Sequence, residues 1–367
     1  MKKTLLSFVL LFALETISAQ SRLIWTAFGQ GRIETGNLDG TERDTLLSFD
    51  GSSDGLAFDA ASQAFYFTNG PQNAIMKMPA GAQSAEVIVS GLELPEEIVI
   101  DPVNNKIYWS DWGQNKIQRA NMDGSGTEDI YQETSLHPKG LFLDTISQNL
   151  YFSQQSGVIA KIDLNTLIID TITTASGVPT KIEVDMDTGK IYWSNQDFAG
   201  SKIQRCNLDG SGAEDIAVGL GLTYGIAIDK AAGKIYWTDW GGDFPKYLKR
   251  ANLDGNDIEG VFEFTGYSPY ALIIVDGLVS NSKEVLFENN ISTNVFPNPV
   301  AGFLNIEIEK LNEKFSVEIY DSRGILINST KNNKYSARLD FSGYASGIYL
   351  LKIKSGNKVA WEKVVRS

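Results

Sequence analysis

The sequence predicts an all-β protein, a six-bladed β-propeller followed by a small C-terminal β-sandwich of the immunoglobulin-like type. Three observations support this fold class: an aromatic and hydroxyl motif that recurs with a period in the low forties, a short alternating strand ending in aspartate that keeps the same period, and a change of pattern near residue 294. A period of this length, built from short strands with glycine and aspartate turns, is typical of propeller blades.

The chain opens with a segment that predicts export. Two lysines, an apolar run and small residues before Gln20 are typical of a secretory signal peptide, which we place at residues 1–19. The apolar run is too short to span a bilayer and no later segment is long enough, so we expect no transmembrane segment. Cys206 is the only cysteine. We expect no internal disulfide and a thiol buried as a small apolar group.

The first motif consists of two large apolar residues, mostly aromatic, followed by threonine or serine. It begins at intervals of 41 to 44 residues, at Ile24, Tyr66, Tyr108, Tyr151, Tyr192 and Tyr236. We interpret it as strand B of a four-stranded blade. Its residues predicted to pack between blades or to complete the motif are Trp25, Phe67, Trp109, Asp111, Phe152, Trp193, Trp237 and Asp239.

Turn residues mark the other strands of each blade. Strand A precedes the motif and ends in a turn-forming aspartate, at Asp59, Asp101, Asp144, Asp185 and Asp229. An Asn-Leu-Asp-Gly or Asn-Met-Asp-Gly turn follows strand C at Asn37, Asn121, Asn207 and Asn252. The "DGSG" segments at Asp123 and Asp209 lack the spaced ligands of a calcium loop, so we interpret them as turns between strands C and D.

The two ends of the repeat array predict a closed ring. The first motif has no strand A before it, whereas "YALIIVD" at residues 270–276 is a strand A with no B, C and D strands after it. We expect this strand to complete the first blade and so remove an open sheet edge. The propeller then spans residues 21–280, a linker spans 281–293 and a second domain spans 294–367.

The repeated motifs resemble the YWTD repeats, or class B repeats, of the low-density lipoprotein receptor family, whose domain is a six-bladed propeller. The fourth motif residue departs from aspartate at Ala27, Asn69, Gln154 and Asn195. In that family, the rim formed by the B–C and D–A loops binds protein ligands. The resemblance therefore implies a binding rim at the same place in this chain.

The tail reads as alternating strands with glycine and asparagine turns, enough for a sandwich of about seven strands. Its "FPNP", "YDSRG", "SGIYLLKI" and "EKVV" segments resemble the type A C-terminal sorting domain of the type IX secretion system, found in Bacteroidota. The matching residues are Pro297, Asn298, Pro299, Gly324, Gly347 and Tyr349. The resemblance implies passage through the periplasm, recognition by the secretion machinery, and release or anchoring at the outer cell surface.

Composition argues against several functions. The formal net charge of −13 disfavours nucleic acid and anionic lipid as partners. The single histidine, His137, lies in a loop of a chain without a nucleophile-elbow motif, so we predict no catalytic residue. His137 and Cys206 are the only soft metal ligands, so we predict neither a metal nor another cofactor.

The remaining candidates lie in loops on one rim. Strands alternate in direction, so the B–C and D–A loops share a face, and their aromatic and charged side chains predict a recognition surface. The candidates are Phe28, Glu96, Glu97, Trp112, His137, Lys139, Asp197, Phe198, Tyr224, Trp240, Asp243, Phe244, Tyr267 and Tyr270. The alternative is that Trp112 and Trp240 fold back over their own blades.

The leading interpretation is a secreted or cell-surface binding module, without enzymatic activity, that recognises a protein or glycan through this rim. A second is a propeller lyase, hydrolase or lactonase acting at the central channel, which Glu97 and Glu183 could reach. A third is a structural surface protein with no defined ligand. A contiguous aromatic patch on the rim favours the first interpretation over the third, and a cluster of channel carboxylates or a divalent ion favours the second.

Overall fold

The structure, a computed structural model, is built from β-strands throughout. It describes residues 21–276 and 293–366, apart from 80–81, 83, 136, 198–199, 241–244, 309–314, 322–325, 333–335, 346 and 356–357. The predicted signal peptide and most of the predicted linker lie outside the described residues. Within these ranges there are 31 strands, and none of the described segments is a helix long and apolar enough to cross a membrane.

Twenty-four strands form six antiparallel sheets of four, which confirms the six predicted blades. Blades 2 to 6 use their strands in chain order as A, B, C and D, beginning with the fourth strand. The bounds are β1 (Arg22–Phe28), β2 (Arg32–Asn37), β3 (Asp44–Ser48), β4 (Leu56–Asp59), β5 (Ala64–Asn69), β6 (Ala74–Met78), β7 (Glu86–Ser90), β8 (Pro95–Asp101), β9 (Lys106–Asp111), β10 (Lys116–Asn121), β11 (Glu128–Gln132), β12 (Pro138–Asp144), β13 (Asn149–Gln154), β14 (Val158–Asp163), β15 (Ile169–Thr174), β16 (Val178–Asp185), β17 (Lys190–Gln196), β18 (Ser201–Asn207), β19 (Glu214–Leu220), β20 (Thr223–Asp229), β21 (Lys234–Asp239), β22 (Lys246–Asn252), β23 (Glu259–Phe264) and β24 (Ser268–Val275).

Blade 1 closes the ring as the sequence predicts. Its sheet order is β24, β1, β2 and β3, so its strand A comes from the end of the propeller and its other strands from the beginning. Strand β24 pairs antiparallel with β1, from Arg22 opposite Val275 to Phe28 opposite Ser268. The six A strands contact one another in turn and therefore surround the central channel.

The motif aromatics fill the space between blades. Successive side chains of strand B point to opposite faces of the sheet, so the two apolar residues of one motif face different neighbours. Trp109 packs in one cluster with Tyr66 of the preceding blade, and Trp237 packs likewise with Tyr192. The tryptophans and phenylalanines at this position are at most 1% exposed, namely Trp25, Phe67, Trp109, Phe152, Trp193 and Trp237.

Aspartates and glycines form the turns. Each strand-ending aspartate accepts a hydrogen bond, at 3.0 to 3.2 Å, from a backbone N–H two or three residues later: Asp59, Asp101, Asp144, Asp185 and Asp229. The turn after strand C needs glycine both for its backbone conformation and for its close contact with the preceding blade. Gly124 has a φ of +84°, and a Cβ there would lie 1.9 Å from the carbonyl oxygen of Ile88 in the preceding blade.

Cys206 is completely buried, as the sequence predicts. It lies in strand C of blade 5, in the core between blades 4 and 5. Burial raises the pKa of its thiol to about 11, so the side chain stays neutral at physiological pH and acts as a packing group.

The tail forms the predicted seven-stranded sandwich. One sheet has the order β25, β26, β29 and the other β28, β27, β30, β31, with bounds β25 (Thr293–Phe296), β26 (Phe303–Ile308), β27 (Phe315–Asp321), β28 (Leu326–Asn332), β29 (Ser336–Asp340), β30 (Gly347–Ser355) and β31 (Lys358–Arg366). Both sheets contribute to one core, in which Leu304 and Ile306 meet Val317 and Leu351.

The first loop of the sandwich holds its last strand. The loop carries Pro297, Asn298 and Pro299, and the side-chain oxygen of Asn298 accepts a hydrogen bond from the Val365 N–H at 2.8 Å. Val300 donates its N–H to the Val365 carbonyl at 2.8 Å. Elsewhere in the domain, Gly347 begins β30 and the buried Tyr349 donates to the Ala345 carbonyl, whereas Gly324 lies outside the described residues.

Candidate functional site

The hydroxyls of five motifs connect two neighbouring blades at the channel. Such a hydroxyl accepts the N–H of its own strand A, as Ser110 does from Glu97 at 2.9 Å, and it donates to strand A of the next blade, as Ser110 does to the Lys139 carbonyl at 2.6 Å. All six hydroxyls accept in this way: Thr26, Thr68, Ser110, Ser153, Ser194 and Thr238. Those of Thr68, Ser194 and Thr238 also donate to the next A strand, and that of Thr26 donates to the Ser53 carbonyl just before the next A strand.

These bonds place two residues from each blade, at the start of strand A or just before it, in two rings around the channel. In blade 1 and in blades 3 to 6 strand A bulges at this level, so two residues lie opposite one hydroxyl residue. The outer ring, in blade order from 1 to 6, is Tyr270, Asp54, Glu96, Lys139, Thr180 and Tyr224. The inner ring, one residue further along each strand, is Ala271, Gly55, Glu97, Gly140, Lys181 and Gly225.

Ten residues of the two rings line a pocket, here called the mouth pocket, on the face of the B–C and D–A loops. They are Asp54, Glu96, Glu97, Lys139, Thr180, Lys181, Tyr224, Gly225, Tyr270 and Ala271. The enclosed space is about 10 Å³, which is about what one water-sized group occupies. A pocket of this size can hold the end of a side chain but no sugar ring.

The inner ring forms the floor of the mouth pocket. Glycine alternates there with larger residues, and a Cβ on Gly140 would lie 2.8 Å from the Cα of Lys181, so the strands meet too closely for a side chain. Over this glycine Lys181 reaches Glu97, with its Nζ 2.6 Å from the carboxylate. Burial raises the pKa of Glu97 and Lys181 opposes that rise, so the pair is best described as a buried ion pair.

The prediction that Glu97 belongs to the exposed rim is therefore wrong. Glu97 is 4% exposed and lies in strand A, because the bulge turns it toward the channel. The ion pair that holds it could not be foreseen from the sequence, since Lys181 stands two blades further along the chain.

One carboxylate of the outer ring, that of Asp54, has no ion-pair partner among the described residues. Glu96 is paired with Lys139 at 2.9 Å. The Asp54 carboxylate makes no hydrogen bond or ion pair with any described residue. Burial, and next the neighbouring Glu96, raise the pKa of Asp54 to about 7.

Four predicted rim residues, two of them members of the outer ring, meet in a cluster, here called the mouth cluster: Phe28, Tyr224, Trp240 and Tyr270. The ring centroids of Tyr224 and Tyr270 are 4.2 Å apart, and Trp240 lies 4.4 Å from Tyr224 and 5.1 Å from Phe28. The indole of Trp240 donates to the Pro269 carbonyl of the next blade. Trp240 thus leans toward blade 1, and Phe28 is 41% exposed at the edge of the cluster.

Trp112 and His137 form a separate pair between blades 3 and 4. Their rings stack with centroids 4.7 Å apart, and the Nδ1 of His137 donates to the Trp112 carbonyl at 3.3 Å. The indole of Trp112 donates to Gln155 of blade 4 at 2.9 Å. Trp112 and Trp240 thus each bind the next blade through the indole N–H and do not fold back over their own blade only. No ring contact among the described residues joins the pair of Trp112 and His137 to the mouth cluster.

The other rim candidates have different surroundings. Tyr267 packs against Phe264, and its hydroxyl donates to Glu34, so its ring belongs to the contact between blades 6 and 1. Asp197 lies in the B–C loop of blade 5, where its carbonyl accepts the Gly200 N–H. Phe198, Asp243 and Phe244 lie outside the described residues.

Glu183 lies deeper in the channel wall, two residues beyond Lys181. The other five A strands carry an apolar residue there: Ala57, Val99, Phe142, Ala227 and Ile273. Burial raises the pKa of Glu183 to about 7, against the opposing charge of Lys181. Glu183 and Glu97 are the two carboxylates that the sequence predicted could reach the channel. Among the described residues, no group of three or more histidine, cysteine, aspartate or glutamate side chains is arranged to hold a metal ion.

Sequence reasoning missed Asp54, Thr180 and Lys181. Thr180 and Lys181 stand near the start of an A strand and Asp54 in the D–A loop just before one, where the sequence varies from blade to blade. A signal was present nevertheless, because alignment of the six A strands shows glycine alternating with larger residues in the inner ring. Such an alternation indicates where side chains can cross a channel.

Comparison with known proteins agrees with this architecture. Residues 294–367 match the family described as secretion system C-terminal sorting domain, and residues 105–144 match the family described as low-density lipoprotein receptor repeat class B. Nidogen-2 of Mus musculus is 39% identical over 84 residues, which are 22% of this chain and 6% of nidogen-2. The chain thus spans only a small part of that relative.

Solved structures share the propeller fold. A chain of a nidogen/laminin complex superposes with a TM-score of 0.61 at 18% identity, over 70% of this chain and 99% of that one. A putative TolB of Agrobacterium tumefaciens gives 0.56 at 14% identity, over 68% and 91%. TolB of Acinetobacter baumannii gives 0.59 at 12% identity, over 69% and 66%.

These matches confirm both resemblances seen in the sequence. The sorting domain implies secretion or a cell-surface location. The chain is thus a β-propeller with a match to the low-density lipoprotein receptor class B repeat at residues 105–144, followed at residues 294–367 by a C-terminal sorting domain of the type IX secretion system.

Proposed function

We propose that this protein is an exported binding module that recognises a protein partner through the B–C and D–A rim, with the mouth cluster and the mouth pocket at its centre. The observation that carries the proposal is the mouth cluster. Four aromatic rings gather beside a partly charged pocket, and Phe28 remains 41% exposed. Clustered aromatics next to a small pocket are typical of the energetic centre of a protein interface.

A protein partner is favoured over a glycan for two reasons. The mouth pocket is too small for a sugar ring, and its sides carry charged groups that suit the ends of amino-acid side chains. A structural neighbour of the propeller comes from a nidogen/laminin complex, which is itself an assembly of two proteins. Binding to a glycan is the alternative that the binding screen described next can detect.

The test is a binding screen of the exported chain against bacterial and host surface proteins and a glycan array, followed by affinity measurements with Phe28→Ala. Phe28 is the exposed edge of the mouth cluster, so its removal should weaken partner binding at least tenfold without loss of folding. The matched control is Ile146→Ala, because Ile146 is 94% exposed in an A–B turn on the opposite face. We expect that variant to bind as the wild type does.

Equal binding by Phe28→Ala and the wild type would show that the rim is not the site. Binding only to glycans would replace the protein partner with a carbohydrate.

An enzyme acting at the channel is the second candidate, favoured by the raised pKa of Glu183. A carboxyl group that is half protonated near pH 7 is suited to act as a general acid. Against this stands the buried Glu97–Lys181 pair, which lies between Glu183 and the mouth pocket. A polysaccharide or lactone substrate entering from this rim would have to displace that pair.

A further inference from the structure

The mouth pocket is chemically asymmetric. It contains three carboxylates and two lysines, and two ion pairs form, Glu96 with Lys139 and Glu97 with Lys181. Asp54 is the carboxylate left over. It lines the pocket and has no hydrogen-bond or ion-pair partner among the described residues.

An uncompensated carboxylate in a confined site is costly. Transfer of a charged group out of water is unfavourable unless an opposite charge or hydrogen-bond donors replace the lost water. The charge of Lys139 lowers the pKa of Asp54, but Lys139 forms its ion pair with Glu96, so the three carboxylates of the pocket outnumber its two lysines. The missing positive charge is therefore one that can come from outside the chain.

The other walls of the mouth pocket also favour a cation. Tyr270 is next to Asp54 on the side away from Glu96, and Tyr224 is next to Tyr270; both residues line the space. Their ring faces are covered, because the two rings lie 4.2 Å apart and also contact Phe28 and Trp240, so the group that each can offer an ammonium is its hydroxyl oxygen, a hydrogen-bond acceptor. An anionic group such as a carboxylate or phosphate would instead meet Asp54 and Glu96.

The size of the space restricts the cation. About 10 Å³ accommodates one water-sized group, and a primary ammonium is of that size. A guanidinium is planar and larger. We infer that the mouth pocket binds one primary ammonium group of the protein partner, held by Asp54 beside the hydroxyls of Tyr224 and Tyr270. The inference rests on the proposed function and adds the chemistry of the group inserted at its centre.

Two sources of a primary ammonium exist in a protein, a lysine side chain and a free N-terminus. Both present the same chemistry to Asp54, so the geometry does not choose between them. A lysine can approach from any segment of the partner, whereas an N-terminus requires a free chain end. Small probes that carry one or the other separate the two sources.

The experiment is a ligand-observed NMR titration of the exported chain at pH 8 with n-butylamine, and with n-butanol as the neutral analogue. We expect butylamine to bind at least tenfold more tightly than butanol. Nα-acetyl-lysine methylamide then presents a side-chain ammonium, and glycylglycinamide presents an N-terminal one. The tighter of these two probes identifies the source.

Variants locate the site. Asp54→Asn should weaken butylamine binding at least tenfold. Asp50→Asn is the matched control, because Asp50 is exposed, lies four residues away in the same D–A loop and removes the same charge. We expect Asp50→Asn to bind butylamine as the wild type does. Thermal unfolding of both variants checks that each remains folded.

Lowering the pH provides a second readout that does not depend on a variant. The raised pKa of Asp54 means that the carboxyl is largely protonated at pH 6 and largely ionised at pH 8, so butylamine affinity should rise up to about tenfold over this range. The other titratable groups around Asp54 are Glu96, Glu97, Lys139, Lys181, Tyr224 and Tyr270.

Equal binding of butylamine and butanol, or equal loss in Asp54→Asn and Asp50→Asn, would overturn the inference. The proposed function fails separately. If Phe28→Ala abolishes binding of the protein partner but amines do not bind, the proposal of a binding rim stands and the ammonium site is wrong. If amines bind in a way that depends on Asp54 but Phe28→Ala does not change binding of the partner, the ammonium site stands and the proposal of a binding rim is wrong.

Discussion

Glu183 shows how a single carboxyl group in the channel wall can set the pH dependence of stability. It occupies a position that is apolar in the other five blades, and its pKa rises to about 7 in the folded protein. The unfolded chain holds the group at its ordinary pKa. Between about pH 4.5 and pH 7 the folded state therefore binds more protons than the unfolded state, and stability falls as the pH rises through this window.

Glu183→Gln should remove this loss, because glutamine resembles the protonated acid. We expect the variant to unfold like the wild type at pH 5 and to be more stable by about 2 to 3 kcal/mol at pH 8. Denaturant unfolding at both pH values measures the difference. Glu86→Gln is the control, since Glu86 is exposed in strand D of blade 2. A Glu183→Gln variant that is equally destabilised at both pH values would contradict the assigned pKa.

At the scale of the blade, the motif hydroxyl has a role that packing of the aromatics does not explain. Ser110 is fully buried, accepts the Glu97 N–H and donates to the Lys139 carbonyl, so it joins blade 3 to blade 4 beside the mouth pocket. Removing it leaves a buried donor and a buried acceptor without their partner. The loss of both is expected to cost about 2 to 3 kcal/mol.

The corresponding test compares Ser110→Ala with Ser110→Thr by denaturant unfolding. Threonine stands at the same position in blades 1, 2 and 6, so Ser110→Thr should retain both bonds and most of the stability. Ser147→Ala, at an exposed serine of an A–B turn, should change stability little. If Ser110→Ala proved as stable as Ser110→Thr, the hydroxyl bridge would have no energetic role.

The fold could be predicted from the sequence, whereas most of the site could not, and the repetition of the blades explains both results. Trp109 and Asp101 could be assigned from the sequence because their roles are repeated in every blade, and repetition made the pattern visible. Asp54 and Lys181 could not, because a site at the centre of a ring joins residues that the chain contributes only once. Glu97 was placed on the rim for the same reason, since its partner lies in another blade.

At the scale of the whole molecule, ring closure by β24 is the feature on which the propeller depends most. This strand places Leu272 and Val275 in the core and pairs with β1 along its length. It also supplies Tyr270 and Ala271 to the two rings of the mouth pocket. Without it, β1 is an unpaired sheet edge next to the last blade, and such an edge favours association with other chains.

Two truncated chains, both beginning at Gln20, test this dependence. One ends at Asp276 and keeps β24, whereas the other ends at Gly266 and lacks it; both lack the sorting domain. We expect the longer chain to melt cooperatively, and the shorter chain to lose the cooperative transition and to form aggregates. Circular dichroism and light scattering measure the two properties. If the chain ending at Gly266 melted within a few degrees of the longer one and stayed dispersed, closure by β24 would not be what holds the six blades together.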